Sequence, residues 1–168
     1  MLFLPRALLV AVLLLSMPVS SNAQGAQVAF GGLKQDTSLP VEITSDQLQV
    51  NQADGTAVFT GNVVIGQGEM RLTADRVRVE YTTENGDSTG RISRLLANGN
   101  VLLVNGAEAA EADAAVYTID DGMVVMTGNV LLTQGQNALS SERMDIDLKT
   151  GTAIMKGRVK SILKTGSN

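Results

Sequence analysis

A tetrapeptide that keeps returning decides what this chain can become. Thr60-Gly61-Asn62-Val63 recurs as Asn98-Gly99-Asn100-Val101, as Thr127-Gly128-Asn129-Val130, and in degenerate form as Lys156-Gly157-Arg158-Val159. Ahead of each stands a small residue followed by an acid: Ser45-Asp46, Ala74-Asp75, Ala112-Asp113 and Ser141-Glu142. Gly61, Gly128 and Gly157 each follow their acid by 15 positions, whereas Gly99 follows Asp75 by 24, so the second unit carries nine extra residues. The acids themselves are 29, 38 and 29 positions apart, one period of 29 with that insertion. A fixed period of this size signals stacked supersecondary units, none of which buries its apolar face alone.

Within a unit the apolar residues alternate, the mark of half-buried strands. Leu48 and Val50 share one face, and the chain returns through Ala57, Phe59, Gly61, Val63 and Ile65 on a single face. Met70 and Leu72 continue the pattern, but past Ala74-Asp75 the parity flips to Val77, Val79 and Tyr81, which predicts a bend or bulge at the acid. Aligned copies give columns: Leu48, Val77, Ala115 and Met144; Val50, Val79, Tyr117 and Ile146; Phe59, Ala97, Met126 and Met155; Val63, Val101, Val130 and Val159; and Ile65, Leu103 and Leu132, broken at Ser161. Turns recur nine residues after an acid, at Asp54-Gly55, Asp121-Gly122 and Thr150-Gly151, and the insertion around Glu84 to Gly90 reads as a longer polar loop at the equivalent tip. Glycines come too often for helix, and β-branched residues hold the periodic positions. Ala107 to Ala115 favours helix on propensity, but its place in the repeat makes it strand. The expectation is an all-β chain of about 16 short antiparallel segments in four repeats, within usual strand lengths.

The two ends read differently. Ala7 to Leu15 is an apolar run of nine after Arg6, followed by Pro18 and the small residues Ser21-Asn22-Ala23, which predicts a secretory signal over residues 1–23. It is shorter than the roughly 20 residues of a spanning helix. Residues 24–40 are rich in Gly, Gln, Ser and Ala with no apolar period and read as a loose lead-in, with Val28 to Phe30 touching the domain. The repeat domain is expected over 41–163, with a tail at 164–168.

Composition then removes whole classes of function. Of 13 basic and 17 acidic residues, Arg6 falls in the leader, leaving 12 against 17 and a net charge of −5. That surface is unsuited to nucleic acid, which wants clustered Lys and Arg. With neither His nor Cys, a Ser-His-Asp triad, a thiol nucleophile, a disulfide and the nitrogen or sulfur zinc sites are all ruled out. Glu108, Glu111 and Asp113 cluster in sequence, and Asp145 and Asp147 share a face, but that face opposes Met144, Ile146 and Leu148 and should be solvated. Paired-acid catalysis needs burial to separate two pKa values. One acid per 29 residues is also too few for calcium, so the acids at 46, 75, 113 and 142 read as corner residues. Lys156, Arg158, Lys160 and Lys164 alternate with apolar positions and read as an outward row that blunts an edge.

The pattern of small residue and acid, then Asp-Gly, then Thr-Gly-Asn-Val, four times over behind a signal, resembles the OstA-like, or LptA, family of periplasmic lipopolysaccharide-transport proteins. The resemblance covers about Val41 to Leu163. It departs at the second-unit insertion and where Glu142 and Arg158 stand for the usual acid and Asn. What it implies is an elongated, twisted, slightly open β-jellyroll whose apolar groove holds the acyl chains of lipopolysaccharide, without enzymatic activity or cofactor. The implied partners are a jellyroll protein of the inner-membrane export complex, an outer-membrane assembly protein, and further copies joined end to end. The columns supply the groove residues this resemblance implies: Leu48, Val50, Phe59, Val63, Ile65, Val77, Val79, Val101, Leu103, Tyr117, Met126, Val130, Leu132, Met144, Ile146, Met155 and Val159. Aromatics are scarce, so walls of Val, Leu, Ile, Met and Ala are expected to leave a slot short of the packing density of about 0.74 found in native cores. The alternatives are the membrane-anchored jellyroll of the same pathway, a structural β-solenoid with a filled core, and a polysaccharide-acting β-helix enzyme.

Overall fold

The computed structural model describes residues 26–29, 31–51 and 54–163, with side chains from residue 32 onward. The expected signal, Phe30, Ala53, Lys164 and the tail lie outside these residues. One antiparallel sheet of eleven strands accounts for nearly all of it. In chain order these are β1 (Ala26–Ala29), β2 (Glu42–Thr44), β3 (Gln47–Asn51), β4 (Thr56–Gln67), β5 (Met70–Glu84), β6 (Asp87–Asn105), β7 (Glu108–Thr118), β8 (Met123–Gln134), β9 (Asn137–Asp147), β10 (Thr152–Lys156) and β11 (Lys160–Ile162). From β4 to β10 each strand pairs with its neighbours in sequence; β2 and β3 line the free side of β4, β1 lines β10, and β11 pairs β9. The Ala-rich stretch in question is strand β7.

The sixteen short segments expected from the repeat are fewer and longer here, for a reason visible at each corner. Gly61, Gly99, Gly128 and Gly157 have φ between 77° and 79°, and the next residues, Asn62, Asn100, Asn129 and Arg158, have φ between 42° and 48°. Along β4 to β9 each Gly-Asn pair faces a single acid across the ladder: Thr60 pairs Arg76 and Val63 pairs Ala74, leaving Gly61 and Asn62 opposite Asp75. The same shift recurs between Asn98 and Val101 and between Thr127 and Val130. Two residues against one is a β-bulge, which bends a strand sharply and leaves hydrogen bonding intact on both sides. So β4 to β9 run through the corner as single strands. The insertion is likewise paired and not looped out: β5 and β6 extend by Thr83 opposite Ser88 and Glu84 opposite Asp87. Asn85 and Gly86 close this hairpin with φ of 52° and 93°, the two positive values a tight two-residue turn requires.

Because the bulges align, they fold the sheet along one spine into two facing halves. Tyr117, on one half, donates from its Oη to Oε1 of Gln67 at the far tip of the other, 2.7 Å away and buried. Between the halves the columns merge into cross-strand rows. Leu48, Phe59, Val77, Ala97, Ala115, Met126, Met144 and Met155 are successive partners across eight strands. Val50, Ala57, Val79, Leu95, Tyr117, Val124, Ile146 and Ala153 form the next row. On the opposite half, Ile43, Ile65, Leu72, Leu103, Ala110, Leu132 and Leu139 face them.

Candidate functional site

The space between the half-sheets is the candidate site, and its lining follows from strand parity. Val63, Ile65, Val77, Val79, Val101, Leu103, Tyr117, Met126, Val130, Leu132, Met144, Ile146 and Met155 all lie buried in one continuous apolar cluster. Phe59 is half-buried against that cluster. Three residues of the columns stand elsewhere. Leu48 and Val50 are 52% and 62% exposed, since among the described residues β3 is the outermost strand on its side. Val159 is 38% exposed because it follows the corner at Gly157-Arg158, outside both β10 and β11. The trough therefore has an uncovered apolar end at Leu48, Val50 and Phe59. Its other end, at Ala153 and Met155, is flanked by β1. β10 is thus not the free edge of its half-sheet, and Lys156 on it bonds Asp145 at 2.7 Å.

Within the described residues the slot is occupied by the protein's own side chains, against the expectation of an unfilled one. Part of that filling was not expected from the repeat at all. Gly31–Leu33 forms a single 3₁₀ turn, and Leu33 is 1% exposed inside the same cluster. Residues 31–39, read as loose, cross the mouth between the tips of the two half-sheets. The Asn105 side-chain amide donates to the Gly32 carbonyl at 2.6 Å. The Gln67 amide donates to the carbonyls of Thr37 and Leu39 at 3.1 and 2.8 Å, and the Gln35 amide donates to the Gln67 carbonyl at 2.6 Å. From the opposite half, the Leu148 carbonyl accepts the Gln35 backbone N–H at 2.8 Å. Gln67, Asn105 and Gln134 hold the same place in successive repeats, four residues after Val63, Val101 and Val130. A polar side chain at an inward position, just before a turn glycine, was the signal that could have found this belt.

The acids divide by parity. Asp46, Asp75 and Asp113 each accept a hydrogen bond from the Nδ2 of their unit's own Asn, at 2.8 Å in all three cases. The corner role holds with a side-chain amide as donor. Glu142 has Arg158 in place of that Asn, and its backbone N–H reaches the Gly157 carbonyl at 3.0 Å. Glu108 points inward, 6% exposed, and accepts from the Gln134 amide at 2.7 Å. Glu111 and Asp113 point outward, so the three do not converge. Asp145 pairs with Arg143 and Lys156, and Asp147 takes the backbone N–H groups of Lys149 and Thr150, which lowers its pKa. Among the described residues no group of three acids is placed to hold a metal ion. A hollow of about 350 Å³ over the spine, bordered by Asn100, Glu111, Asp113 and Asn129, is polar and open to solvent.

Residues 42–152 match the family model described as LptA/(LptD N-terminal domain) LPS transport protein. That stretch is 111 of the 168 residues. The chain belongs to this family. Among sequence relatives, an uncharacterized protein of Rhizobium meliloti is 29% identical over 71% of this chain and 62% of its own length. The lipopolysaccharide export system protein LptA of Escherichia coli K12 is 32% identical over 39% of this chain and 35% of its own. The chain thus spans about three-fifths of the first relative and about a third of the second. The LPS-assembly protein LptD of Yersinia enterocolitica is 36% identical over 38% of this chain and 8% of its own length. In fold, the chain superposes on the crystal structure of LptH, the LptA-homologous periplasmic component of the lipopolysaccharide transport device of Pseudomonas aeruginosa. The TM-score is 0.66 at 17% identity, covering 78% of this chain and 99% of that one. The chain therefore shares that open antiparallel architecture.

Proposed function

We propose that this LptA-family chain is a non-enzymatic periplasmic carrier, which takes the acyl chains of lipopolysaccharide between its half-sheets and passes them along the apolar rows. The observation that carries the proposal is the continuity of those rows: eight successive partners from Leu48 to Met155 present no charged side chain to the interior. Burying a methylene there contributes about 0.8 kcal/mol, and Met126, Met144 and Met155 have the flexible side chains that adapt to different occupants. Among the described residues the side chains between Val77 and Met155 fill the interior, so loading there requires the halves to part. The bare end at Leu48, Val50 and Phe59, where β2 and β3 are the outermost strands among the described residues, suits strand addition by a second copy or by a jellyroll partner at the inner or outer membrane.

A second reading, a structural β-solenoid with a filled core, is favoured by the same closed interior. Photo-crosslinking residues placed at Phe59, Val101, Met126 and Met144 in cells separate the two. The carrier gives lipopolysaccharide adducts from these positions and none from the outward Gln49 or Asp147. Absence of lipid adducts at every inward position defeats it. An uncleaved leader on the mature protein, read by mass spectrometry, would point to the membrane-anchored jellyroll of the same pathway instead.

A further inference from the structure

Three features lie outside the carrier reading: the strap over the mouth, the orphaned carboxylate beside it, and the row of tip amides that holds it. They belong together. The strap, residues 31–39, has one apolar peg, Leu33, driven into the core cluster. Around that peg its attachments are mostly of a different kind from those of the sheet. Each strand from β4 to β9 carries a ladder of backbone pairs to both neighbours. Among the described residues, the strap's backbone-to-backbone link to the sheet is Gln35 N–H to the Leu148 carbonyl. Its other ties are the side-chain amides of Asn105, Gln67 and Gln35. Segments with few backbone bonds and little apolar burial open locally at free energies well below that of global unfolding.

Glu108 adds a reason for the closed state to be poised. Its Oε1 is taken by Gln134, while its Oε2 is buried with no hydrogen-bond partner among the described residues. The strap presses on this carboxylate at Gly32, where an added Cβ would lie 3.1 Å from Glu108 Cδ and 3.3 Å from Oε1. A buried oxygen without a donor costs free energy that water would return. Lifting the strap at Gly32 opens this corner, so hydration of Oε2 offsets part of the loss of the Leu33 peg. At its other end the strap borders both tips at once. Thr37 sits beside Gly122 of the β7–β8 turn, and Leu39 and Gln35 sit against Gly68 of the β4–β5 turn.

We propose that residues 31–39 are a releasable strap that closes the side of the trough in the unloaded chain and is displaced when an acyl chain enters between the half-sheets. Leu33 holds the place in the apolar interior that the entering chain takes, and the tip amides are the catch. The proposal rests on the carrier reading for the identity of the occupant.

Hydrogen–deuterium exchange on the whole mature chain, with and without purified short-core lipopolysaccharide, tests both separately. Expected on binding is slower exchange in β7 and β8 together with at least tenfold faster exchange over residues 31–39. Leu33→Ser should speed strap exchange in the free chain and raise the association rate for lipopolysaccharide several-fold. Asn105→Ala, which removes one tie to Gly32 and leaves the peg, should do the same to a smaller extent, and serves if the serine variant unfolds. A variant that binds where the wild type does not would support the strap most directly. Binding that protects β7 and β8 while strap exchange and the association rates of both variants stay at wild-type values overturns the strap and leaves the carrier standing. No ligand-dependent protection in the wild type or either variant overturns the carrier, and the strap's role with it.

Discussion

The bulge at each corner makes a quantitative demand that a double-mutant cycle can meet or fail. Gly99 has φ of 79°, and a Cβ added there would overlap Asp75 Oδ2 and lie 3.1 Å from both Cβ and Cγ of Asp75. An alanine in the left-handed region costs about 1–2 kcal/mol. Moving the Asp75 carboxylate aside also forfeits the 2.8 Å bond from Asn100 Nδ2, a solvent-exposed bond worth about 1 kcal/mol. Gly99→Ala should therefore destabilise by about 2–3 kcal/mol, which lowers the urea midpoint by roughly 1 M or more for a slope of about 2 kcal/mol/M. Asp75→Ala alone loses only the Asn100 bond, about 1 kcal/mol. In that background the carboxylate is already gone, so Gly99→Ala adds only its backbone strain and the double variant falls short of the sum by about 1 kcal/mol. Equilibrium urea unfolding of the four proteins by circular dichroism measures this. Additivity within about 0.3 kcal/mol, or a Gly99→Ala cost below about 0.5 kcal/mol, would refute the argument that the glycine is required by the acid facing it.

Met144→Ala, at a fully buried site, should cost about 2–5 kcal/mol, whereas Leu48→Ala at the exposed end of the same row should stay within about 0.5 kcal/mol; equal losses in denaturant melts would contradict the register. Burial pushes the Tyr117 hydroxyl up to about 12 from 10.0, so the native state favours the protonated form. The resulting stability is complete below pH 10 and is lost as pH rises through 10 to 12, and Tyr117→Phe should flatten that part of an alkaline unfolding profile. Asn85→Val, a β-branched residue at φ of 52°, should destabilise the extended hairpin by about 1–2 kcal/mol and speed exchange at Thr83 and Ser88 without affecting β7 or β8.

How far residues alone specify this molecule differs between its middle and its margins. A Gly-Asn pair facing an acid needs two positive φ values wherever it occurs, so the corners and the parity flip at Asp75 were readable from spacing. Strand number was not, because a bulge bends the chain while its hydrogen bonding continues, and spacing cannot distinguish a corner that ends a strand from one that does not. The insertion shows the same gap: Asn85-Gly86 is a two-residue turn signal, yet the polar residues around it pair on a solvated face where composition resembles that of a loop. Burial of Val77 or Met126 follows from parity alone because strands flank both. Leu48 and Val50 have the right parity and no outer neighbour among the described residues, and parity carries no information about neighbours. The strap has no period to read, and its buried peg, Leu33, is one of two leucines in an otherwise polar segment.

These margins set the ways into the trough. Along its side the mouth is spanned by residues 31–39, tied to Gln67 and Asn105 on one half and to Leu148 on the other. At the β3 end the rows run out into solvent at Leu48 and Val50 with Phe59 half-buried behind them. An occupant entering by the end would slide past Phe59 along rows whose side chains already touch, so each step must displace packed Val, Leu and Met side chains in turn. An occupant entering by the side would displace one buried leucine and a few amide bonds, along a spine of bulges where the sheet is already bent. Packed interiors resist stepwise intrusion far more than an opening along an existing seam, so on the proposed carrier reading the side would be the lower-energy route and the bare end would be left to meet another sheet edge.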